Sequence, residues 1–342
     1  ARIAGVPAAE RDDEARAIAL AAAAVEYHRR EDVAYWVLHF ERLRSHVDEW
    51  RDQRDVLAPS DVAVEVVEGW RTPARGQLRR RLRMVGPMLA GSRIGPGDAP
   101  FAVYTAPAPF GEDDAPAAYR AHSWISVVSA EEDAGTWTVE LDERDPSGAG
   151  WSHVPIALAP SRPIPTTKQR AAILEWGERV AGSLDPVVDP MLDVLRRVPP
   201  RIAGGVPDDG MPAERIVAAL TAMDRSYLAV QGPPGSGKTH VGATVLRELV
   251  ERGWRIGVVA QSHEVVEHLL RKAIELGVPA DRVGKRPRSG STTVPGVALQ
   301  PRDVAGFLAG EGGRILGGTS WTFANAEQVP RHALDLLVVD EA

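Results

Sequence analysis

The stretch QGPPGSGKTH, residues 231–240, decides the fold of this 342-residue chain. Its Gly232, Gly237, Lys238 and Thr239 fill the fixed positions of the pattern G-x-x-x-x-G-K-[ST], which predicts a phosphate-binding loop. Backbone N–H groups and the lysine of such a loop contact phosphates, and its threonine hydroxyl ligates Mg²⁺. We expect ATP and Mg²⁺ as ligands. The predicted nucleotide contacts are Gly232, Pro233, Pro234, Gly235, Ser236, Gly237, Lys238, Thr239 and His240.

The flanks of this loop indicate an α/β fold. Residues 227–230, YLAV, are typical of a short buried strand, and residues 241–251 carry apolar residues at helical spacing. A strand, a glycine-rich loop and a helix in this order place a bound anion at the positive end of the helix dipole. The pattern therefore predicts a parallel sheet with the nucleotide at its edge.

A second candidate site element follows the apolar run at residues 334–339, LDLLVV. The run is typical of a central parallel strand, and it places Asp340 and Glu341 at its C-terminal end, where ligands bind in open α/β sheets. We expect Asp340 to hold Mg²⁺ and Glu341 to act as the base for an attacking water, with Lys238 as the third catalytic residue. The alternative is a surface acidic pair beyond a core strand.

Composition limits the classes of function. The net charge of −7 argues against a protein that coats nucleic acid by bulk electrostatics, so nucleic-acid binding would need local patches. The absence of cysteine excludes disulfides, thiol catalysis and cysteine-ligated metal centres. No apolar run approaches the ~20 residues needed to span a bilayer. We expect a cytoplasmic protein.

The chain is predicted to have four parts. Residues 1–58 form a helical lead segment, 59–150 a small antiparallel β-barrel with a loop near 95–118, 151–205 a linker and helical stalk, and 206–342 the ATPase domain. The stalk helices are expected at 167–182 and 186–198. Because the chain starts without methionine and stops just after Glu341, we expect a fragment of a longer polypeptide, cut at both ends.

The order of four segments resembles superfamily 1B helicases of the group with a GPPG loop and a DEA box. The segments are residues 231–239, 258–263 (VVAQSH), 315–319 (ILGGT) and 338–342 (VVDEA), which look like motifs I, Ia, Ic and II. Upstream stretches also resemble bacterial proteins that fuse a RecB-like nuclease to such a helicase. The resemblance implies an incomplete RecA-like domain, here residues 206–342, and a DNA-repair context.

The resemblance also implies nucleic-acid contacts at Gln261, Ser262, His263 and Thr319. These residues follow predicted strands and precede predicted helices, where polar side chains and N–H groups suit a phosphate. The alternative is that Ser262 is only a helix N-cap and His263 a surface residue. Trp321 would stack a base or lie in the core.

The sequence departs from the family at the position of its adenine-recognising glutamine, which is Arg215 here. Either Glu214 or the backbone substitutes for the glutamine, or the chain is less selective for the base. Residues 1–60 contain no carboxylates followed by a catalytic lysine, so nuclease activity is not assigned to this chain. Two basic clusters are candidate phosphate contacts. The alternative for the first cluster is a charged edge strand, and the alternative for the second is a surface loop. The clusters comprise Arg71, Arg75, Arg79, Arg80, Arg81 and Arg83, and then Arg282, Lys285, Arg286 and Arg288.

The sequence thus predicts the N-terminal part of an ATP-dependent helicase or translocase acting on single-stranded nucleic acid, DNA in preference to RNA, with a nuclease domain on the same full-length polypeptide. We expect slow hydrolysis by this chain alone, because family members complete the site with arginines from a second RecA-like domain. The alternatives are a non-helicase phosphate-loop ATPase switch that acts on protein partners, and a structural fragment with a vestigial site.

Overall fold

The computed structural model describes residues 5–57, 62–74, 76–110, 117–182, 188–233, 235–287, 294, 296–297 and 302–341. The chain divides into a phosphate-loop unit, Ala1–His28 with Thr166–Ala342, and a two-sheet unit, Arg29–Pro165. Three predicted site residues, Arg75, Pro234 and Arg288, lie outside the described residues. Within the described ranges, no helix has the length and apolar character that a membrane span requires. The four-part domain division stays a prediction.

The helices are α1 (Asp13–Val25), α2 (Tyr27–Arg42), α3 (Thr167–Gly182), α4 (Pro190–Arg196), α5 (Pro212–Thr221), α6 (Lys238–Glu251), α7 (His263–Glu275), α8 (Val304–Ala309) and α9 (Ser320–Ala324). The strands are β1 (Ala63–Arg71), β2 (Leu78–Pro87), β3 (Phe101–Thr105), β4 (Tyr119–His122), β5 (Ile125–Asp133), β6 (Thr136–Asp145), β7 (Ala157–Ala159), β8 (Arg255–Val259), β9 (Val283–Lys285), β10 (Arg314–Gly318) and β11 (Leu336–Val339). Short 3₁₀ turns cover Ala8–Glu10, Val47–Trp50 and Ala280–Arg282.

The phosphate-loop unit is built on a parallel sheet with the order β11-β8-β10-β9. Val259 of β8 lies opposite Gly318 on one side and Val339 on the other, so three strands end at the same level. A Cβ added to Gly317 would lie 2.5 Å from Leu270 Cδ1. The glycine therefore lets α7 pack directly against β10.

The apolar faces of α5, α6 and α7 pack with β8 and β10 into one core, as their helical spacing predicts. Leu246, Leu249, Leu270, Ile256 and Ile315 of this core are almost fully buried. Helix α1 packs against α3 and α4 in the same unit, and Arg196 holds Glu14 through hydrogen bonds of 2.6 and 2.8 Å. The helices predicted in the lead segment, residues 1–58, and near 167–182 and 186–198 are confirmed.

Two strand predictions in this unit are wrong. β11 lies at an edge of the sheet described here, not at its centre, and Leu337 and Val339 are 46% and 54% exposed. Residues 227–230 form no strand, and Val230 is 53% exposed. Tyr227 instead donates its hydroxyl to the Val198 carbonyl at 2.8 Å, so a tertiary contact holds this segment rather than a β-ladder.

The two-sheet unit contains an antiparallel sheet β1-β2-β6-β5 and an antiparallel sheet β4-β3-β7. Side chains from both sheets meet in one core, among them Leu82, Met84, Tyr104 and Leu141. The loop predicted near 95–118 is wrong in part, because Phe101–Thr105 forms β3 and its first four residues are buried. The predicted fold class, an α/β domain preceded by helices and small antiparallel β-structure, is confirmed, but the described strands form two separate sheets and not the single barrel that was predicted.

Candidate nucleotide and strand site

The phosphate-binding loop leads directly into α6. Gly235 and Gly237 adopt φ of +76° and +82°, in the left-handed region that side chains with a Cβ rarely occupy. Gly237 is the N-cap residue, and the helix begins at Lys238. Alternating left- and right-handed residues turn successive N–H groups inward, and this conformation forms an anion-binding concavity. The loop therefore has the backbone geometry that a phosphate requires.

The Lys238 ammonium folds back over the loop. It donates hydrogen bonds to the carbonyl oxygens of Gly232 and Pro233, the latter at 3.0 Å. Lys238 is exposed and Thr239 half-buried at the first turn of α6, where Ser236 and His240 are exposed on either side. The lysine is thus held above the loop by weak neutral acceptors, which an anionic phosphate can replace with a charge-assisted bond.

The topology brings the other predicted site residues to the carboxyl ends of the strands, where this loop also lies. α6 is followed by the short turn into β8, so the helix runs back along the sheet and its first residue lies near the carboxyl ends of the strands. The residues that follow those carboxyl ends are Gln261, Ser262 and His263 after β8, Thr319 after β10, and Asp340 and Glu341 after β11.

Asp340 continues the pairing of β11 by one residue, because its N–H donates to the Val259 carbonyl at 2.9 Å. Its Oδ1 accepts the Glu341 N–H at 3.1 Å, and Glu341 is exposed with a φ of +55°. The described residues contain no cluster of three or more His, Asp or Glu side chains that could hold a metal alone. Oxygen donors such as the Thr239 hydroxyl and the Asp340 carboxylate suit Mg²⁺.

The segment after β8 combines both sequence-based interpretations. Ser262 caps α7, and its Oγ accepts the Val265 N–H at 3.2 Å, as the alternative interpretation predicts. His263 is the first residue of α7, but it is not a simple surface residue: its Nδ1 lies 3.0 Å from the Lys285 ammonium. Gln261 is exposed directly before them.

The segment after β10 is arranged in the same way. Thr319 is the N-cap residue of α9, with no side-chain cap hydrogen bond of its own. Trp321 is 43% exposed, so the prediction that it lies in the core is wrong. The first turns of α7 and α9 therefore both present polar residues beside the candidate nucleotide site.

The surface-loop prediction for Lys285 is wrong. Lys285 ends strand β9 and is 1% exposed, and its ammonium pairs with Glu267 of α7 at 2.9 Å. The strand is only three residues long and contains a glycine, so the sequence carries almost no periodicity that could reveal it.

The positions expected to recognise adenine are occupied by contacts within the protein. Glu214 Oε2 accepts the Met211 N–H at 3.0 Å, which caps α5. Arg215 Nε donates to the Pro207 carbonyl at 2.6 Å. Both side chains stabilise the start of α5.

The first arginine cluster fits its two interpretations only in part. β2 lies between β1 and β6 and is not an edge strand, whereas Arg71 ends the edge strand β1. Arg80 is buried, which excludes it from direct contact with a phosphate backbone. The other described members each have an acidic neighbour within 4.0 Å: Arg71 with Glu68, Arg79 and Arg81 with Asp142, and Arg83 with Glu65 and Glu140. Phosphate contact by the exposed members stays a prediction.

The similarity of this chain to known proteins agrees with the assignment of residues 231–240 as a phosphate-binding loop. Residues 214–342 match the family described as AAA domain. The chain is also 35% identical over 98 residues to "Regulator of nonsense transcripts 1" of Caenorhabditis elegans, an alignment that covers 28% of this chain and 9% of that protein. It is 23% identical over 192 residues to "DNA polymerase alpha-associated DNA helicase A" of Schizosaccharomyces pombe, which covers 49% of this chain and 28% of that protein.

The chain thus spans less than a third of the length of either relative. The matches support the coarser part of the resemblance, a nucleotide-binding phosphate-loop domain similar to that of superfamily 1 helicases. The roles of the individual site residues stay predictions.

Proposed function

We propose that this chain is the ATP-binding part of a superfamily 1B helicase or translocase that acts on single-stranded nucleic acid. One observation carries the proposal: the phosphate-binding loop, the Asp340–Glu341 pair and the first turns of α7 and α9 all lie at the carboxyl ends of the strands of one parallel sheet. In open α/β sheets these ends are where ligands bind. The phosphate-binding loop would hold the phosphates of a nucleotide there. The first turns of α7 and α9 would suit the phosphate backbone of a single-stranded nucleic acid.

Hydrolysis requires little covalent chemistry from the protein. Lys238 would move from the loop carbonyls to the β- and γ-phosphates and offset charge that develops there, while loop N–H groups hold the phosphates in place. Glu341 would accept a proton from the attacking water, and its exposed position leaves room for that water. Mg²⁺, held through Thr239 and Asp340, would neutralise phosphate charge.

The single-stranded nucleic acid would lie across the N-terminal turns of α7 and α9. Gln261, Ser262, His263 and Thr319 offer N–H groups and short polar side chains, which contact phosphates without reading the base. The similar proteins are named for nonsense transcripts and for DNA, so their names leave the choice between RNA and DNA open. The proposal takes DNA as the substrate, and the fused nuclease domain stays a prediction.

The test is calorimetric titration of ATP with Mg²⁺ into wild type, Lys238→Ala and Glu341→Gln. We expect severe loss of affinity in Lys238→Ala, because a charge-assisted contact to phosphate is removed, and near-normal affinity in Glu341→Gln, because only the base is lost. Lys272→Ala is the matched control, since Lys272 lies on α7 and pairs with a surface glutamate. Equal affinity in wild type and Lys238→Ala would refute the assignment of the loop.

Binding of single-stranded nucleic acid distinguishes the proposed helicase function from the alternative, an ATPase switch that acts on proteins. We expect fluorescence anisotropy to show binding of a labelled oligonucleotide that falls with salt. ATP binding without any strand binding would favour a switch that acts on protein partners.

A further inference from the structure

Trp124 is a partly exposed tryptophan that lies directly before β5 in the two-sheet unit. Its indole ring stacks on the imidazole ring of His122, with 5.0 Å between the ring centroids and 21° between the ring planes. His122 is buried, whereas Trp124 is 37% exposed. One face of the indole is therefore covered by a buried ring, although much of the residue is open to solvent.

The exposed surface of Trp124 lies on the side away from His122. Among the described residues, the other ring that contacts Trp124 is Phe110, and it stands nearly perpendicular to both partners of the stack. A ring on the outer face of the indole would be farther from His122 than from Trp124. Phe110 is instead 4.6 Å from His122 and 5.9 Å from Trp124, so it lies beside the stack and leaves the outer face free.

Hydrogen bonds on both sides of the imidazole hold this support in place. His122 Nδ1 accepts the Trp124 backbone N–H at 3.1 Å, and His122 Nε2 lies 2.8 Å from Glu143 Oε1. Glu143 is fully buried and is itself held by the Arg80 guanidinium at 2.7 Å. The imidazole cannot turn without breaking these bonds, so the indole rests on a fixed surface. A ligand that stacks on a surface ordered in advance loses little affinity to the ordering of side chains.

Two exposed arginines neighbour Trp124. The Arg144 backbone N–H donates to the Trp124 carbonyl oxygen at 2.8 Å, and the Arg162 guanidinium donates to the hydroxyl of Ser123. Within the part of the chain that the structure describes, neither guanidinium forms an ion pair. A hydroxyl does not offset the charge of a guanidinium. Both arginines thus differ from those of β2, which have acidic neighbours.

A rigid exposed aromatic ring with cations beside it is the combination by which proteins bind single-stranded nucleic acid without reading its sequence. We propose that Trp124 stacks an unpaired base on its outer face, and that Arg144 and Arg162 contact neighbouring phosphates. This inference rests on the proposed function for the class of substrate. It adds a binding site within the two-sheet unit.

The first experiment measures the affinity for a fluorescein-labelled single-stranded oligo-dT by anisotropy. Trp124→Ala should weaken binding about 5- to 100-fold, which is the effect of one lost base–aromatic stack, and Trp124→Phe should recover most of it because a ring remains. The matched control is Val128→Ala, which trims an equally exposed apolar residue of β5, at 38%, and should change affinity by less than about twofold. Urea midpoints and ATP titration check that each variant is folded.

The second experiment separates stacking from a structural effect of the substitution. An abasic oligonucleotide of the same length keeps the phosphates but offers no base. The wild type should bind it more weakly than oligo-dT, and this difference should shrink by about 5- to 100-fold in Trp124→Ala, because the variant has already lost the stack. A variant that is merely distorted would lose affinity for both oligonucleotides alike.

A salt series tests the two arginines separately from the ring. Arg144→Ala and Arg162→Ala should each lower the salt slope by about 0.7, the value for one lost phosphate contact on a single strand. Trp124→Ala removes no charge and should leave the slope unchanged. Unchanged slopes in both arginine variants would overturn the phosphate contacts.

The outcomes distinguish this site from the proposed function. If Trp124→Ala binds oligo-dT as tightly as the wild type, or loses equally for oligo-dT and the abasic oligonucleotide, the stacking site is overturned and the helicase proposal stands. A wild type that binds ATP normally but no oligo-dT would overturn both.

Discussion

Replacement of Arg80 by alanine should destabilise the two-sheet unit strongly, although Arg80 lies in a run of arginines that looks like a solvent-exposed surface. Its guanidinium donates to Glu143 Oε2 at 2.7 Å, the Tyr104 hydroxyl at 3.2 Å, the His153 carbonyl at 2.6 Å and the Trp151 carbonyl at 3.1 Å. The side chains of Arg80 and Glu143 are 2% and 0% exposed.

The magnitude follows from what the substitution leaves behind. Glu143 would keep its contacts from the Tyr104 hydroxyl and from His122 Nε2 at 2.8 Å, but it would lose the guanidinium that balances its charge in the core. Burial and the neighbouring Glu143 raise the pKa of Tyr104, so the phenol stays a donor but cannot neutralise the carboxylate. Removal of one partner from a buried ion pair costs about 3–5 kcal/mol.

The neighbouring Arg81 provides the comparison. Its pair with Asp142 at 2.9 Å is partly exposed, at 27% and 22%, so Arg81→Ala should cost no more than about 1 kcal/mol. Urea unfolding followed by tryptophan fluorescence would measure both variants. With a slope of about 1–3 kcal/mol per molar urea, the Arg80→Ala midpoint should fall by at least about 1 M.

A compensating variant separates charge from packing. Arg80→Met/Glu143→Leu removes both charges and should unfold at a clearly higher midpoint than Arg80→Ala, although it leaves the Tyr104 hydroxyl and His122 Nε2 without their buried acceptor. Equal midpoints for Arg80→Ala and Arg81→Ala would refute the reasoning, because the buried network would then contribute nothing to stability.

Three further predictions concern pH and packing. Burial, with a smaller contribution from Arg42, lowers the pKa of His39 to about 4. The imidazole of the unfolded chain titrates near ~6.5, so between this pH and about 4 the native state binds fewer protons than the unfolded state. The stability of the protein should therefore be complete above about pH 6.5 and fall as the pH decreases toward 4. His39→Leu should flatten this part of a pH series of urea midpoints. Gly242→Ala, with 3.8 Å to its nearest neighbour, should raise stability by up to about 1 kcal/mol in the same assay, since glycine is unfavourable inside a helix. Gly313→Ala should lower it markedly, because the new Cβ would lie 2.1 Å from the Val250 carbonyl oxygen, and an unchanged midpoint would contradict this close backbone contact.

The sequence alone determined the features that depend on neighbouring residues. Gly235, Gly237 and Lys238 predicted the loop because positive φ and a helix start are local properties, and both are present. Ser262 predicted a helix N-cap for the same reason, because its acceptor reaches an N–H three residues away.

Only the tertiary structure decided which charges are buried and which strands lie at an edge. Arg80 is buried because Glu143 lies 63 residues away in sequence and beside it in the sheet, and Lys285 because Glu267 lies 18 residues before it on a different element. The edge position of β11 depends likewise on which strands pair beside it. The cost of burying a charge is offset only by a partner that folding brings near, so no local pattern of residues can reveal it.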